Sequence, residues 1–373
     1  MKIGIIETKS HYIYLYSLCR IFNTEENELY LFVNKSLNKQ MEKMLKEDYH
    51  KFNWIVKKEG KANFEFFKRI KRNMKRKIDL LFLNTIQHNY FSYIYLLSGL
   101  NCQKILTIHN INNWFDPDYN FSPKDLARIL TRNIIFKLID NINVYGENLR
   151  NYIIENFNYQ NKVFTIPFTI YEKKEIKRLK EDEVISFVVP GRVRKKRRDY
   201  KLVLRAFKKL FNKYGEKISL ILLGQPYGEY GKEVLKKCNQ LEKEGYNITY
   251  YTKYISENEF EKKLLTSNII LAPTNRTIYY ANTKEVYGKS KETGATFMMA
   301  RYSKPGIIPS NINPPMELAD SILQYRDEKE LRMIIKKVIE NKSFREKVSK
   351  KAQVNSKQLS VNSVRNEFWS KFK

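Results

Sequence analysis

The sequence predicts an α/β protein of two doubly wound domains, and three observations carry that expectation. Short, continuously apolar strands alternate with segments of helical apolar period, the pattern of a parallel sheet covered on both faces. The alternation runs to about residue 170, breaks at a stretch dominated by lysine and glutamate, and restarts at Val184. With 373 residues, 42% of them hydrophobic, the chain is long enough for two separate cores. The expected division is an N-terminal domain at 1–170, a connection at 171–183 and a C-terminal domain at 184–355.

Each element has its own justification. Residues 2–7 read as a first strand, 12–22 as an apolar-periodic helix and 28–33 as a second strand. A basic helix over 64–77 precedes a strand at 78–83, a helix at 89–100 and a strand at 104–109. Ser122 is a good N-cap, and Pro123 suits the first helical position because its missing N–H would have no intrahelical acceptor there. A helix therefore runs from this point to about Leu138. A strand at 142–145, a helix at 147–157 and a strand at 162–166 complete the first half. In the second half, strands at 184–189, 218–224, 248–251, 269–272 and 306–309 alternate with helices at 200–214, 231–244, 257–265 and 293–302. Helices at 328–341 and 344–354 follow, and Val361, Val364, Phe368 and Phe372 fall at helical spacing in the last segment. Doubly wound sheets bind ligands beyond the carboxyl ends of their strands, so the cleft between the two domains is the expected site.

Charge is the compositional outlier. The net charge of +29 attracts acidic partners such as a nucleotide-bearing substrate, anionic lipid or nucleic acid, although a lysine-rich genome bias would also raise it. Cys19, Cys102 and Cys238 are too far apart for a zinc pattern and odd in number, which favours a reducing, cytoplasmic compartment. No cluster of His, Cys, Asp and Glu has metal-ligand spacing, so no metal is expected. Residues 1–6 are too short an apolar run for a signal peptide. The longest apolar stretch, 90–100, falls short of the ~20 residues that span a bilayer. A soluble chain, at most lying on a membrane face, is expected.

Two stretches point to anion chemistry. Residues 185–192 read as a strand ending in the glycine turn Gly191-Arg192, followed by the cations Arg194-Lys195-Lys196-Arg197. About a hundred residues on, Thr293-Gly294-Ala295-Thr296 opens a short helix. Small residues there let a ligand approach the backbone, where unpaired N–H groups attract an anion. Together these are two halves of a phosphate clamp. A run of adjacent cations also fits a solvated turn.

With Ile221-Leu222-Leu223-Gly224 ending the next strand and Ser303-Lys304-Pro305 following the short helix, this order of motifs resembles the GT-B glycosyltransferases over essentially the whole chain. Within that fold it is most similar to the retaining, nucleotide-sugar-dependent group called family 4. The resemblance implies two Rossmann-like domains with a cleft between them, a donor half at the C-terminus and an acceptor half at the N-terminus. It also implies a last helix, within 356–373, crossing back to complete the first domain. Gly191 and Arg192, with either Lys196 or Arg197, would grip the diphosphate, joined by the backbone of Thr293, Gly294 and Ala295. The glutamate pair of many relatives is missing in register, because Ser290 and Met298 stand at those positions. Glu285 or Glu292 could substitute after a shift, and Glu292 reads equally as a helix-start carboxylate favoured by the helix dipole.

On the acceptor side, His109 ends a buried strand where the family places a histidine against the transferred sugar. Lys9, Ser10 and His11 follow strand one, where relatives carry an acceptor loop, and His88 is a weaker candidate. The implied reaction moves a hexose with retention from a nucleotide-diphosphate sugar to a glycan or lipid-linked acceptor, without cofactor or metal. Unlike hydrolytic glycosidases, it needs no carboxylate pair. Residues 68–77 hold seven cations and no acid, and Phe67, Ile70 and Met74 share one stripe. That helix could pack its stripe in the core, lie on an anionic membrane, or do both. The expected place is the cytoplasm, peripheral on the inner membrane face. Two other readings are a catalytically silent GT-B partner subunit and a basic nucleic-acid-binding protein, the latter without any nucleic-acid motif.

Overall fold

The computed structural model describes all residues except 61, 62, 75–77, 119–121, 160, 174–183, 281 and 373. Most of the expected connection at 171–183, and Lys75, Arg76 and Lys77 of the basic segment, therefore lie outside the described residues. The chain folds as two compact units. The first comprises Met1–Thr169, Tyr279–Glu285 and Val361–Lys373, and the second Ile170–Ile278 and Val286–Ser360.

In the first unit, the strands are β1 (Lys2–Glu7), β2 (Glu28–Asn34), β3 (Asn53–Lys57), β4 (Leu80–Leu83), β5 (Gln103–Thr107), β6 (Asn141–Val144) and β7 (Val163–Thr165). They form one parallel sheet in the order β3-β2-β1-β4-β5-β6-β7. Strand order reverses between β1 and β4, so a crevice opens beyond their carboxyl ends. Apolar strands such as β4, Leu-Leu-Phe-Leu, are buried on both faces because helices cover the sheet. The helix Pro123–Leu138 starts as its residues dictate, with Ser122 Oγ accepting from Asp125 N at 3.2 Å. The helix Val361–Phe372 belongs to this unit, and its Phe368 ring packs on Phe22, Phe82 and Phe164 at 5.2, 5.8 and 5.1 Å.

In the second unit, the strands are β8 (Ile185–Pro190), β9 (Ile218–Leu223), β10 (Ile248–Tyr250) and β11 (Ile269–Leu271). The two-stranded pair β12 (Thr277–Tyr280) and β13 (Thr283–Val286) comes next in the chain, and its tip, residues 279–285, counts with the first unit. Strands β14 (Gly306–Pro309) and β15 (Ile322–Tyr325) complete a parallel sheet ordered β10-β9-β8-β11-β14-β15. Its reversal lies between β8 and β11. The helix Tyr200–Tyr214 covers one face by burying Tyr200, Val203, Leu204, Ala206, Phe207, Leu210 and Phe211, a stripe of helical period.

Among the described residues, several elements escape the sequence reading, the short helices Lys46–Lys51, Ile111–Phe115 and Met316–Ser321 among them. The helix Lys35–Leu45 is mostly polar, but Leu37, Met41 and Leu45 recur every four residues and are buried, with Asn34 capping Leu37 N at 2.8 Å. Strands β3 and β15 sit at sheet edges, where burial is partial and the apolar pattern correspondingly broken. The β12–β13 pair is built from Thr, Tyr, Lys and Glu without an apolar core signal. Among the described residues, no helix is long and apolar enough to cross a membrane.

Candidate functional site

The second unit gathers its cations at the strand-order reversal. Beyond β8, Gly191 takes a φ of +99°, a left-handed conformation that favours glycine, and its N–H bonds Leu223 O at 2.8 Å. The neighbouring Gly224 lies so close that a Cβ there would fall on the Gly191 carbonyl. The basic turn that follows is pinned from the β11 side. Asn275 N donates to Arg197 O at 3.0 Å, Asn275 Nδ2 to Lys195 O at 2.8 Å, and Arg198 bridges to Thr274. Across from the turn, Thr293 caps the helix Gly294–Tyr302, its Oγ1 accepting from Thr296 N at 3.2 Å. The earlier amides of that helix have no intrahelical acceptor.

These pieces enclose one cavity of about 360 Å³ lined by Gly191, Arg192, Arg194, Arg197, Arg198, Thr274, Tyr287, Thr293, Gly294 and Met298. Among the described residues, its lining includes four arginines and no acidic residue. Arg192 is held by Gln225, whose amide oxygen, once the amide is oriented toward it, accepts from Nε and one terminal nitrogen at 3.2 Å each. Arg194 stacks over the Tyr227 ring at 4.7 Å. A Cβ on Gly294 would meet nothing within 4 Å, so the helix start is open to a ligand. Positive charge, helix-start amides and hydroxyls in a small cavity are chemistry that can hold a phosphorylated group.

Of the expected donor-side residues, Gly191, Arg192, Arg197, Thr293 and Gly294 come together at this cavity. Lys196 is exposed and outside the lining, Ala295 is buried beneath it, and Glu292 also lies outside the lining. Glu292 is buried with Oε1 unpartnered, and its carboxyl is pushed up to about 8. Burial is the main cause and the Glu317 charge the next, outweighing the Thr293 amide and the Thr296 hydroxyl that favour the carboxylate. Glu285 lies on β13 in the first unit, where it accepts from Asn113 N at 2.9 Å and Asn112 N at 3.4 Å at a helix start. Ser290 is buried outside the lining, its Oγ accepting from Val286 N at 2.9 Å, whereas Met298 lines the cavity.

In the first unit, polar groups converge beyond β1, β4 and β5. Thr85 Oγ1 donates to the buried Glu7 carboxylate at 2.8 Å, and His11 Nδ1 stands 2.8 Å from the same hydroxyl. Thr85 has one proton to give, so His11 Nδ1 donates to it, and Nε2 is the ring nitrogen left for a further partner. His109 stacks on His11 at 4.6 Å between ring centroids. Its Nε2 donates to Asn84 O at 2.8 Å and its Nδ1 takes the Tyr145 hydroxyl, so both ring nitrogens are engaged. Asn84 is buried with both side-chain amide atoms unpartnered. Lys9 turns inward only through its backbone, Lys9 N donating to Glu7 at 2.6 Å, and Ser10 is exposed. His88 is exposed. His11 and His109 are thus brought together.

Sequence reasoning missed Glu7, Asn84, Thr85 and Tyr145 here, and Thr274, Tyr287 and Arg198 in the other unit. A carboxylate closing a buried strand, as Glu7 does, is a usable signal. Thr274 and Tyr287 carry none, because only folding brings them to the basic turn. Among the described residues, no group of three or more His, Cys, Asp or Glu is placed to hold a metal ion.

At the level of sequence, no protein-family model and no curated protein matches the chain. Solved structures do. Anabaena Alr3699/HepE, in complex with UDP and glucose, is 13% identical with a TM-score of 0.67, covering 100% of this chain and 99% of its own. Sucrose-phosphate synthase from Thermosynechococcus elongatus is 14% identical with a TM-score of 0.66, covering 100% and 98%. A UDP-N-acetylglucosamine 2-epimerase is 12% identical with a TM-score of 0.58, covering 96% and 93%. Identity at this level speaks to architecture alone. Two parallel sheets with central strand-order reversals, matched end to end by these structures, give the chain the GT-B fold of two Rossmann-like domains.

Proposed function

We propose that this protein is a glycosyltransferase that moves a hexose from a nucleotide-diphosphate sugar to a glycan or lipid-linked acceptor, in the synthesis of a cell-surface polysaccharide or glycolipid. The observation that supports this reading is the cavity whose lining, among the described residues, includes four arginines, no acidic residue and an open helix start. As the bond between the anomeric carbon and the diphosphate breaks, the leaving group takes the electron pair and gains negative charge. Arg192 and Arg197, with the amides at Gly294, are fixed to stabilise that charge. Guanidinium groups supply what a divalent ion would otherwise supply, so the proposed reaction requires neither metal nor cofactor. Following the family 4 resemblance, attack comes from the face the leaving group departs, and a departing phosphate oxygen takes the acceptor proton. The configuration is then retained.

The first unit is the proposed acceptor side, with His11 Nε2 available to a sugar hydroxyl and Lys9 and Ser10 beside it. An anionic surface on the cytoplasmic face of a membrane is the proposed setting, met by the exposed cations Lys68, Arg69 and Arg72 of the helix Asn63–Met74. Met298 in the cavity, where relatives carry a glutamate, favours one second reading, a nucleotide-binding subunit that turns nothing over.

Titration with UDP-, GDP- and ADP-sugars, followed by thermal melting, tests the proposal. One of them should raise the melting temperature in proportion to the logarithm of its concentration. The Arg192→Ala variant should melt like the wild type without ligand and lose at least about tenfold in affinity, or ~1.4 kcal/mol. Acceptor-dependent release of nucleotide diphosphate would then establish transfer. Binding without turnover would point to the silent subunit, and isomerised nucleotide sugar to an epimerase. If no nucleotide sugar binds while oligonucleotides do, the proposal fails.

A further inference from the structure

The helix Pro123–Leu138 keeps apolar residues on both faces. Inward it buries Ile135 together with Thr131 and Arg132, the last donating to the Tyr90 hydroxyl at 3.1 Å and lying over the Trp114 ring at 4.9 Å. Its outward face carries Leu126, Ala127, Leu130 and Ile134, flanked by Lys124 and Lys137. Leu126, Leu130 and Ile134, spaced every four residues, are 60%, 54% and 43% exposed, and Phe91 on the adjoining helix Tyr90–Leu97 is 74% exposed. That helix in turn packs on Asn63–Met74, whose outward side shows Lys68, Arg69 and Arg72.

We infer that the apolar face of Pro123–Leu138 inserts into the surface of an anionic lipid bilayer, with the cations of Asn63–Met74 beside it on the headgroups. This inference rests on the membrane part of the proposed function and not on the transferase part. Charge chooses the occupant. A second copy would bring another +29 against the same basic surface, whereas acidic headgroups neutralise it. Shape agrees, since an apolar ridge along a single helix with one neighbouring ring is narrow for a protein interface of ~800 Å² per side but suits a helix lying in the interfacial plane.

Sedimentation with phosphatidylcholine vesicles, with and without phosphatidylglycerol, tests it on the full chain. The wild type should bind only the anionic vesicles. The variant L126S/L130S/I134S should bind them at least about tenfold more weakly. The variant K68S/R69S/R72S should lose about fivefold per cation and most of its salt sensitivity. Circular dichroism and melting confirm that each variant folds, and single Leu130→Ser serves if the triple variant does not. Wild-type binding unchanged by the serines would overturn insertion and leave the basic-surface reading intact. No binding of the wild type to anionic vesicles would overturn both, and so would a serine-sensitive dimer seen instead of vesicle binding. The nucleotide-sugar titration is independent of all these outcomes.

Discussion

Replacing Glu292 with glutamine should make the protein more stable, and only at neutral to alkaline pH. The side chain sits directly before the Thr293 cap, buried, with Glu317 as an electrostatic neighbour and one oxygen unpartnered. Its carboxyl ordinarily titrates at 4.5 and in the folded chain at about 8. A pKa raised by folding contributes stability that is complete below pH 4.5 and is lost as pH rises through 8. Well above pH 8, the wild type must either ionise a buried carboxylate or hold its proton against the solvent, at up to about 5 kcal/mol. Glutamine keeps the shape and does not titrate. Even half of that difference would raise the urea midpoint of the second unit by on the order of 1 M. Urea melts of both proteins at pH 5 and pH 9 decide it. The curves should nearly coincide at pH 5 and separate at pH 9, with the variant higher. A midpoint difference that is the same at both pH values would refute the assignment of a buried, proton-holding Glu292.

Two further substitutions test the cavity and its supporting helix. Gly294→Val places a branched side chain where a Cβ meets only open space, so folding should be unaffected. Nucleotide-diphosphate affinity should fall at least about tenfold by calorimetry, and wild-type affinity would rule out close approach of ligand to that backbone. Ser303 ends the same helix at φ +50°, a left-handed conformation, with its hydroxyl buried and unpartnered. Ser303→Gly should therefore stabilise the protein by about 1 kcal/mol, and an unchanged or lower melting temperature would count against backbone strain there.

The sheets were legible because their signal is local. A short apolar run such as Leu220–Leu223, stopped by Gly224, is too short for a helix and reads as a buried strand, and the amphipathic stripe of Tyr200–Tyr214 fixes both its type and its inward face. Ser122 and Thr293 marked helix starts because a cap is chosen by a hydrogen bond within four residues. The edges were harder to read. In β15 only two of four residues are buried, and the alternation is too short to stand out. The tip of β12–β13 was unreadable for another reason, since Thr283 and Glu285 accept hydrogen bonds from the amides of Asp118, Asn112 and Asn113, far away in sequence. The site followed the same rule. Arg192, Arg197 and Gly294 announced themselves through a turn and a helix start, while Thr274, Tyr287 and the Glu7–Thr85–His11 chain exist only once distant strands align.

The first unit is written in three pieces of sequence, with the second unit enclosed among them. On a ribosome, this order means that the earlier unit is finished last. Until residues 361–373 emerge, Phe22, Phe82 and Phe164 have no Phe368 to cover them, and a greasy patch on a nearly complete sheet stays open to chaperones or to other nascent chains. Loss of the helix Val361–Phe372 would therefore injure a unit built mostly from residues 1–169, and quality control would meet the damage there.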